Sequence, residues 1–147
     1  ASFGYRTGFS GTIVDTTVHV GMYTLNKFGY PSQLVSKGSI ASGTSTSATK
    51  LFTPDVTAIT PGRYAMCLAP EANVLITSNF VTTNNGGSFY QEGFSDVSLA
   101  PRPTCLFRNN IVSSNALLTD LSSTSGYNDS TSCPYIIVVL ADNYTGE

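Results

Sequence analysis

Reactive side chains in this chain are few and scattered, while groups suited to recognition concentrate in two short segments. His19 is the only histidine, so any Ser-His-Asp or Cys-His arrangement would have to be built on it. It lies inside an alternating run, and no Gly-x-Ser-x-Gly elbow presents a nucleophile, so a hydrogen-bonded strand histidine is expected. The common route of glycoside hydrolysis needs two carboxylates held about 5 to 10 Å apart. The nine acids, Asp15, Asp55, Glu71, Glu92, Asp96, Asp120, Asp129, Asp142 and Glu147, form no local pair beyond Glu92 and Asp96 near Gly93, and these two read as solvated loop acids. Cys67, Cys105 and Cys133 contain no Cys-x-x-Cys pair, and their odd number leaves at least one unpaired. With one histidine and no calcium-type loop, there is no evident set of metal ligands. The sequence therefore points away from catalysis, metals and cofactors, and toward three reduced thiols.

Recognition of a sugar needs planar amides or carboxylates to pair with hydroxyls, plus an aromatic face for the apolar side of the ring. Two Gly-rich segments, 84–91 and 125–130, supply this mixture: Tyr90 and Gln91 in the first, Tyr127, Asn128 and Asp129 in the second. The same Gly, Asn and Ser are also what turns require, so both segments read equally as plain connections. Arg102 and Arg108 flank a Pro-rich stretch and suit an acidic sugar or a partner carboxylate. Surface ion pairing is their simpler role.

Strands must position these residues, because period two runs through almost the whole chain and helical periodicity through almost none. Strands are expected over 11–15, 18–25, 33–37, 52–59, 63–69, 74–78, 105–112 and 135–141, separated by Gly, Pro, Asn and Ser clusters. One helical turn is expected over 115–121, capped by Ser114 or Asn115. In the 18–25 run Val18, Val20 and Met22 share one face, with His19, Gly21 and Tyr23 opposite. In the 63–69 run Cys67 shares a face with Ala65 and Ala69, as a small core residue would. The 135–141 run is apolar on both faces, so it should be covered on both, either by a loop or by a second copy of the chain. The expected architecture is one all-β domain, residues 1–147: an antiparallel β-sandwich or jelly roll.

Composition narrows the partners. Only 11% of residues are charged, against roughly a quarter in typical soluble domains, which suits a surface of hydroxyls and amides or one partly hidden between subunits. Seven scattered cations and a net charge of −2 argue against nucleic acid, which needs clustered Lys and Arg. No apolar run approaches the roughly 20 residues of a membrane helix, and the start Ala1-Ser2-Phe3-Gly4 carries no leader pattern. A start without Met suits a processed chain or an excised fragment.

One stretch carries a likeness to a known family. His19-Val20-Gly21-Met22-Tyr23-Thr24-Leu25-Asn26-Lys27-Phe28-Gly29-Tyr30-Pro31, then Gln33-Leu34-Val35, a Gly/Ser/Thr tract, and Ile59-Thr60-Pro61-Gly62-Arg63-Tyr64-Ala65-Met66-Cys67-Leu68-Ala69-Pro70 follow in that order. This resembles the jelly-roll tip domains that end bacteriophage tail fibres and tailspikes, over about a third of the chain. The resemblance implies a homotrimer on the virion, assembled in the host cytoplasm and preceded by a shaft. It implies binding of a host-surface receptor such as a glycan, rather than chemistry. The chain departs from the pattern in having no Trp, so ring stacking would rest on Tyr or Phe. Two other readings stand beside it: a structural virion component such as a head fibre or decoration protein, and a secreted lectin or tumour-necrosis-factor-like ligand. The sequons Asn128-Asp129-Ser130 and Asn143-Tyr144-Thr145 suit the second.

Overall fold

The computed structural model of the chain describes residues 1–74, 76–83, 106–108, 111–122, 127–129 and 133–139. Among them, in chain order, the strands are β1 (Ser2–Arg6), β2 (Thr17–Leu25), β3 (Pro31–Ala41), β4 (Thr49–Phe52), β5 (Tyr64–Pro70), β6 (Thr82–Thr83), β7 (Leu106–Arg108), β8 (Val112–Ser113), β9 (Ala116–Leu117), β10 (Tyr127–Asp129), β11 (Cys133–Pro134) and β12 (Ile136–Val139). One helical turn, α1 (Ile76–Asn79), interrupts them. The fold is all-β and its ladders are antiparallel.

Two three-stranded sheets, ordered β12-β1-β4 and β3-β2-β5, hold the core between them. Phe3 and Tyr5 of β1 meet Val18 and Val20 of β2, with Phe80 closing one side. Met22, Ile40, Phe52, Met66, Leu68 and Ile136 pack around this cluster. Period two explains the choice: Phe3 and Tyr5 point inward, as do Val18, Val20 and Met22. Tyr5 sits edge-on to Phe80 at 5.5 Å, and Phe3 edge-on to Phe52 at 6.4 Å. Each such pair contributes about 0.5–1.5 kcal/mol beyond its area burial. The Tyr5 hydroxyl donates to Ile40 O at 3.2 Å and so ties the two sheets together. Burial, and secondarily the charge of Asp15, push its pKa above the ordinary tyrosine value.

β2 is enclosed on its second face as well. Leu117 of the β8–β9 hairpin lies against Gly21, where an added Cβ would come within 2.6 Å of the Leu117 Cδ1. The Tyr23 hydroxyl donates to Leu118 O at 2.7 Å, while Leu34 N and Leu121 N bond to Thr119 O and Ser32 O. The thiol of Cys67, opposite Gly21 in the ladder, is free, and the residue is half-buried there. Burial pushes its pKa up to about 12.

Several expectations need correction. Residues 11–15 are irregular, because Val14 N and O bond to the Asn79 side chain instead of to a neighbouring strand. Beyond Phe52 the 52–59 stretch is a loop, in which Asp55 Oδ1 accepts from Lys37 N at 2.8 Å. The 74–78 stretch gives way to α1. The turn expected over 115–121 is a hairpin: Ser114 (φ 50°) and Asn115 (φ 59°) are both left-handed, as a two-residue turn between β8 and β9 requires. Segment 125–130 is not a plain loop, since Tyr127, Asn128 and Asp129 form β10 and pair with β7. β3 runs on through the Gly/Ser/Thr tract to Ala41, with the Phe52 ring lying over Gly38. β1, which the alternation did not single out, is the middle strand of its sheet. The strand from 135 is described as far as Val139 and lies outermost in the order β12-β1-β4, with Tyr135, Val138 and Val139 exposed.

Candidate functional site

The residues proposed from sequence fall into two groups. Tyr90, Gln91 and Arg102, like Glu92 and Asp96, lie outside the described residues. Tyr127, Asn128 and Asp129 share the short strand β10, in register with Arg108, Phe107 and Leu106 of β7. This register places Tyr127 opposite Arg108, so one ladder carries an aromatic, an amide, a carboxylate and a cation.

His19 is buried in the middle strand β2, and its Nε2 lies 2.7 Å from Glu71 Oε1. A backbone bond from Glu71 N to Thr17 O sets the carboxylate there. The register places Ser39 and Ala69 on either side of His19. The pair thus fastens the end of β5 to β2. Other carboxylates serve their own loops: Asp15 accepts from Gly43 N, Asp55 from Lys37 N, and Asp120 from Ser122 N. Among the described residues, no three His, Cys, Asp or Glu side chains converge as metal ligands would.

What the described surface does offer is two phenylalanines held in water at opposite ends of the paired sheets. One end gathers the close of β1, the start of β2, the close of β3 and the start of β4. There Phe9 is 64% exposed, with the Arg6 guanidinium carbon 5.3 Å from its ring centre. The loop behind it is fixed by side chains from distant segments. Asn79 holds Val14 by both N and O, Ser42 Oγ donates to Val14 O and accepts from Thr16 N, and Thr7 Oγ1 donates to Ser45 O while accepting from Ala48 N. Thr7, Thr16, Ser42 and Asn79 are all buried, each with a partner.

At the opposite end, the β2–β3 hairpin presents Phe28, 63% exposed, with Lys27 Nζ at 5.0 Å from its ring centre. Asn26 Oδ1 accepts from Phe28 N at 2.9 Å and Tyr30 N at 3.0 Å, while Asn26 N donates to Tyr30 O. Gly29 takes the left-handed conformation (φ 83°) that closes the turn. A carboxamide that mimics a backbone turn is the reason Asn stands at this position. The sequence showed this run as turn punctuation; the exposed ring at its tip was the overlooked signal.

A third exposed area is apolar. On the outer face of the β12-β1-β4 sheet, Leu51 and Ile137 flank Gly4, with Tyr135 and Val139 beyond. Comparisons with family models, with curated proteins and with solved structures find no match to this chain.

Proposed function

We propose that this domain is a non-enzymatic attachment module: the distal tip of a bacteriophage tail fibre or tailspike, which binds a host-surface glycan and assembles as a homotrimer. The observation that carries this reading is the Asn26-locked hairpin, which spends two side-chain hydrogen bonds on keeping the Phe28 ring in water. A ring held rigidly at a tip loses little freedom when a sugar's apolar face settles on it. The stretch that resembles fibre tips supplies β2, β3 and β5, a single sheet ending in this hairpin. The chain passes between the two main sheets from β1 to β2, from β3 to β4 and from β4 to β5, which favours a jelly roll within the sandwich. For the trimer, the support is the exposed apolar strip of Leu51, Tyr135 and Val139 together with a charge content of 11%. On the same reading Tyr90, Gln91 and Arg102, and Tyr127, Asn128 and Asp129, remain proposed contacts.

Single sugar contacts are weak, at about 0.5–1.5 kcal/mol net per hydrogen bond, so attachment would rely on several copies, where avidity adds roughly 10² to 10⁴. Phe28→Ala and the double variant Tyr90→Ala/Tyr127→Ala are each expected to leave the oligomer seen by light scattering unchanged. Each should weaken glycan-array binding and competition with phage for host cells. Competition by both variants equal to that of the parent would instead favour a structural virion component.

A further inference from the structure

We propose that Arg6 and Phe9 form a binding site for a carboxylate-bearing sugar, such as a uronic or sialic acid residue. Arg6 closes β1, and its Nε is buried without any hydrogen-bond acceptor. No carboxylate of the described residues lies within ion-pair distance of it. The guanidinium instead stands over Phe9, a contact that attracts the cation but takes up none of its N–H donors. A buried, unanswered donor on a permanent cation is the exception in folded proteins. A planar carboxylate answers it best, because its two oxygens match the guanidinium fork.

Phe9 supplies the other half. Its ring is the more exposed of the two tip phenylalanines, and Gly11 two residues on is left-handed, with open space where a Cβ would stand. The loop is anchored on both flanks: Gly8 N donates to Asn79 O, Ser47 N to Gly8 O, and Asn79 grips Val14. An exposed ring beside a guanidinium whose Nε–H is unanswered matches a ligand that carries a carboxylate on an apolar ring face. Acidic pyranoses have that structure, whereas neutral sugars lack the charge and acetate lacks the ring.

This inference rests on the glycan-binding reading, and the test separates the two. The full chain, labelled with ¹⁵N and ¹³C, is titrated with sodium glucuronate, with glucose and with sodium acetate, following the Arg6 Nε–H and the Phe9 and Phe28 rings. Glucuronate is expected to shift Arg6 and Phe9 together and saturably. Arg6→Gln and Phe9→Ala should each weaken binding, the first by at least about tenfold as a charge-assisted bond is lost. Arg6→Lys, which keeps the charge without the fork, should recover only part of it. Equal shifts from acetate that survive Phe9→Ala would overturn the sugar site in favour of a plain anion contact. Glycan-array binding that is lost in Phe28→Ala, with no response to glucuronate at Arg6, would overturn this inference and leave the attachment reading standing. Absence of response to any sugar, on the array and in solution, would overturn both.

Discussion

At the α1 end of the paired sheets Phe9 stands in water beside Arg6, and at the hairpin end Phe28 stands in water beside Lys27, yet the two are held by different means. The hairpin end is local: the bonds that Asn26 makes to Phe28, Gly29 and Tyr30 close it within residues 26–30. The α1 end is global. Asn79 reaches back 65 residues to Val14, Thr7 reaches across 38 to 41 residues to Ser45 and Ala48, and Thr16 is met by Ser42 and Ala72. The cations differ in the same sense: Lys27 belongs to a turn exposed to water, whereas Arg6 closes a core strand and has a buried nitrogen. A local turn can change without disturbing the sheets, while a cross-linked end couples any site upon it to overall stability.

The two asparagines should therefore not be interchangeable in their effect on stability. Asn79→Leu removes two part-buried bonds, leaving Val14 N without its partner and Val14 O with Ser42 Oγ alone, and should cost about 2–3 kcal/mol, near the lower end of roughly 1–3 kcal/mol per lost bond. Asn26→Ala also loses two bonds, but at an exposed turn where water replaces them, and should cost about 1 kcal/mol or less. Urea midpoints of the two variants read the difference directly. Amide exchange should quicken at Phe28 and Tyr30 alone in Asn26→Ala, and well beyond Val14 in Asn79→Leu. Equal midpoints would show that the polar side chains at the α1 end are not holding the sheets.

Cys67, on β5 of the β3-β2-β5 sheet, reports on the same difference between the ends. The residue is half-buried, and burial pushes its pKa up to about 12 from an ordinary 9.0. Alkylation at pH 8, followed by mass spectrometry of the peptide containing Cys67, should therefore be slow, because almost none of the folded thiol is ionised, and should quicken with opening of the sheet. Labelling should accelerate in Asn79→Leu and stay at the parent rate in Asn26→Ala. The pH dependence follows from the raised value. The contribution to stability is full below pH 9 and declines as the unfolded thiol ionises, until the folded thiol ionises near 12. Rapid labelling of the native parent at neutral pH would contradict the raised value.

These distinctions also explain what the sequence could and could not disclose. Val18, Val20 and Met22 announced β2, and Tyr64, Met66 and Leu68 announced β5, because alternation over seven or more residues is a local signal. β1 escaped because Ser2-Phe3-Gly4-Tyr5-Arg6 offers only two apolar positions around a glycine, although it pairs on both sides. Residues 11–15 looked like a strand because Ile13 is buried, but their partners are side chains from far along the chain. Ser114-Asn115 looked like a helix cap, where left-handed backbone at both positions makes a hairpin turn. As for the site, Phe28 was in view but read as punctuation. Arg6 and Phe9 emerge only once β1 and the following loop set a cation over a ring.

The smallest effect lies at the hairpin end, where the loop after β9 meets β3. Asp120 is bridged to Gln33, and its carboxylate accepts from Ser122, whose N lies 2.7 Å from Oδ1. The Ser122 side chain, then its backbone N–H, then Gln33 hold the Asp120 pKa below the ordinary 3.8. A folded value below the unfolded one means that the stabilisation is present above about pH 4. It fades as acid brings the solution down through the folded value. Because the carboxylate is fully exposed, water screens these bonds and the expected change is slight. A urea midpoint measured from pH 6 to pH 2.5 should fall a little further in the parent than in Asp120→Asn, which cannot titrate. The Phe28 and Tyr30 amides should be unaffected, since Asn26 alone closes their turn. If acid loosened those amides in the parent and not in Asp120→Asn, the hairpin end would be coupled to its surroundings after all, and the contrast between the two ends would fail.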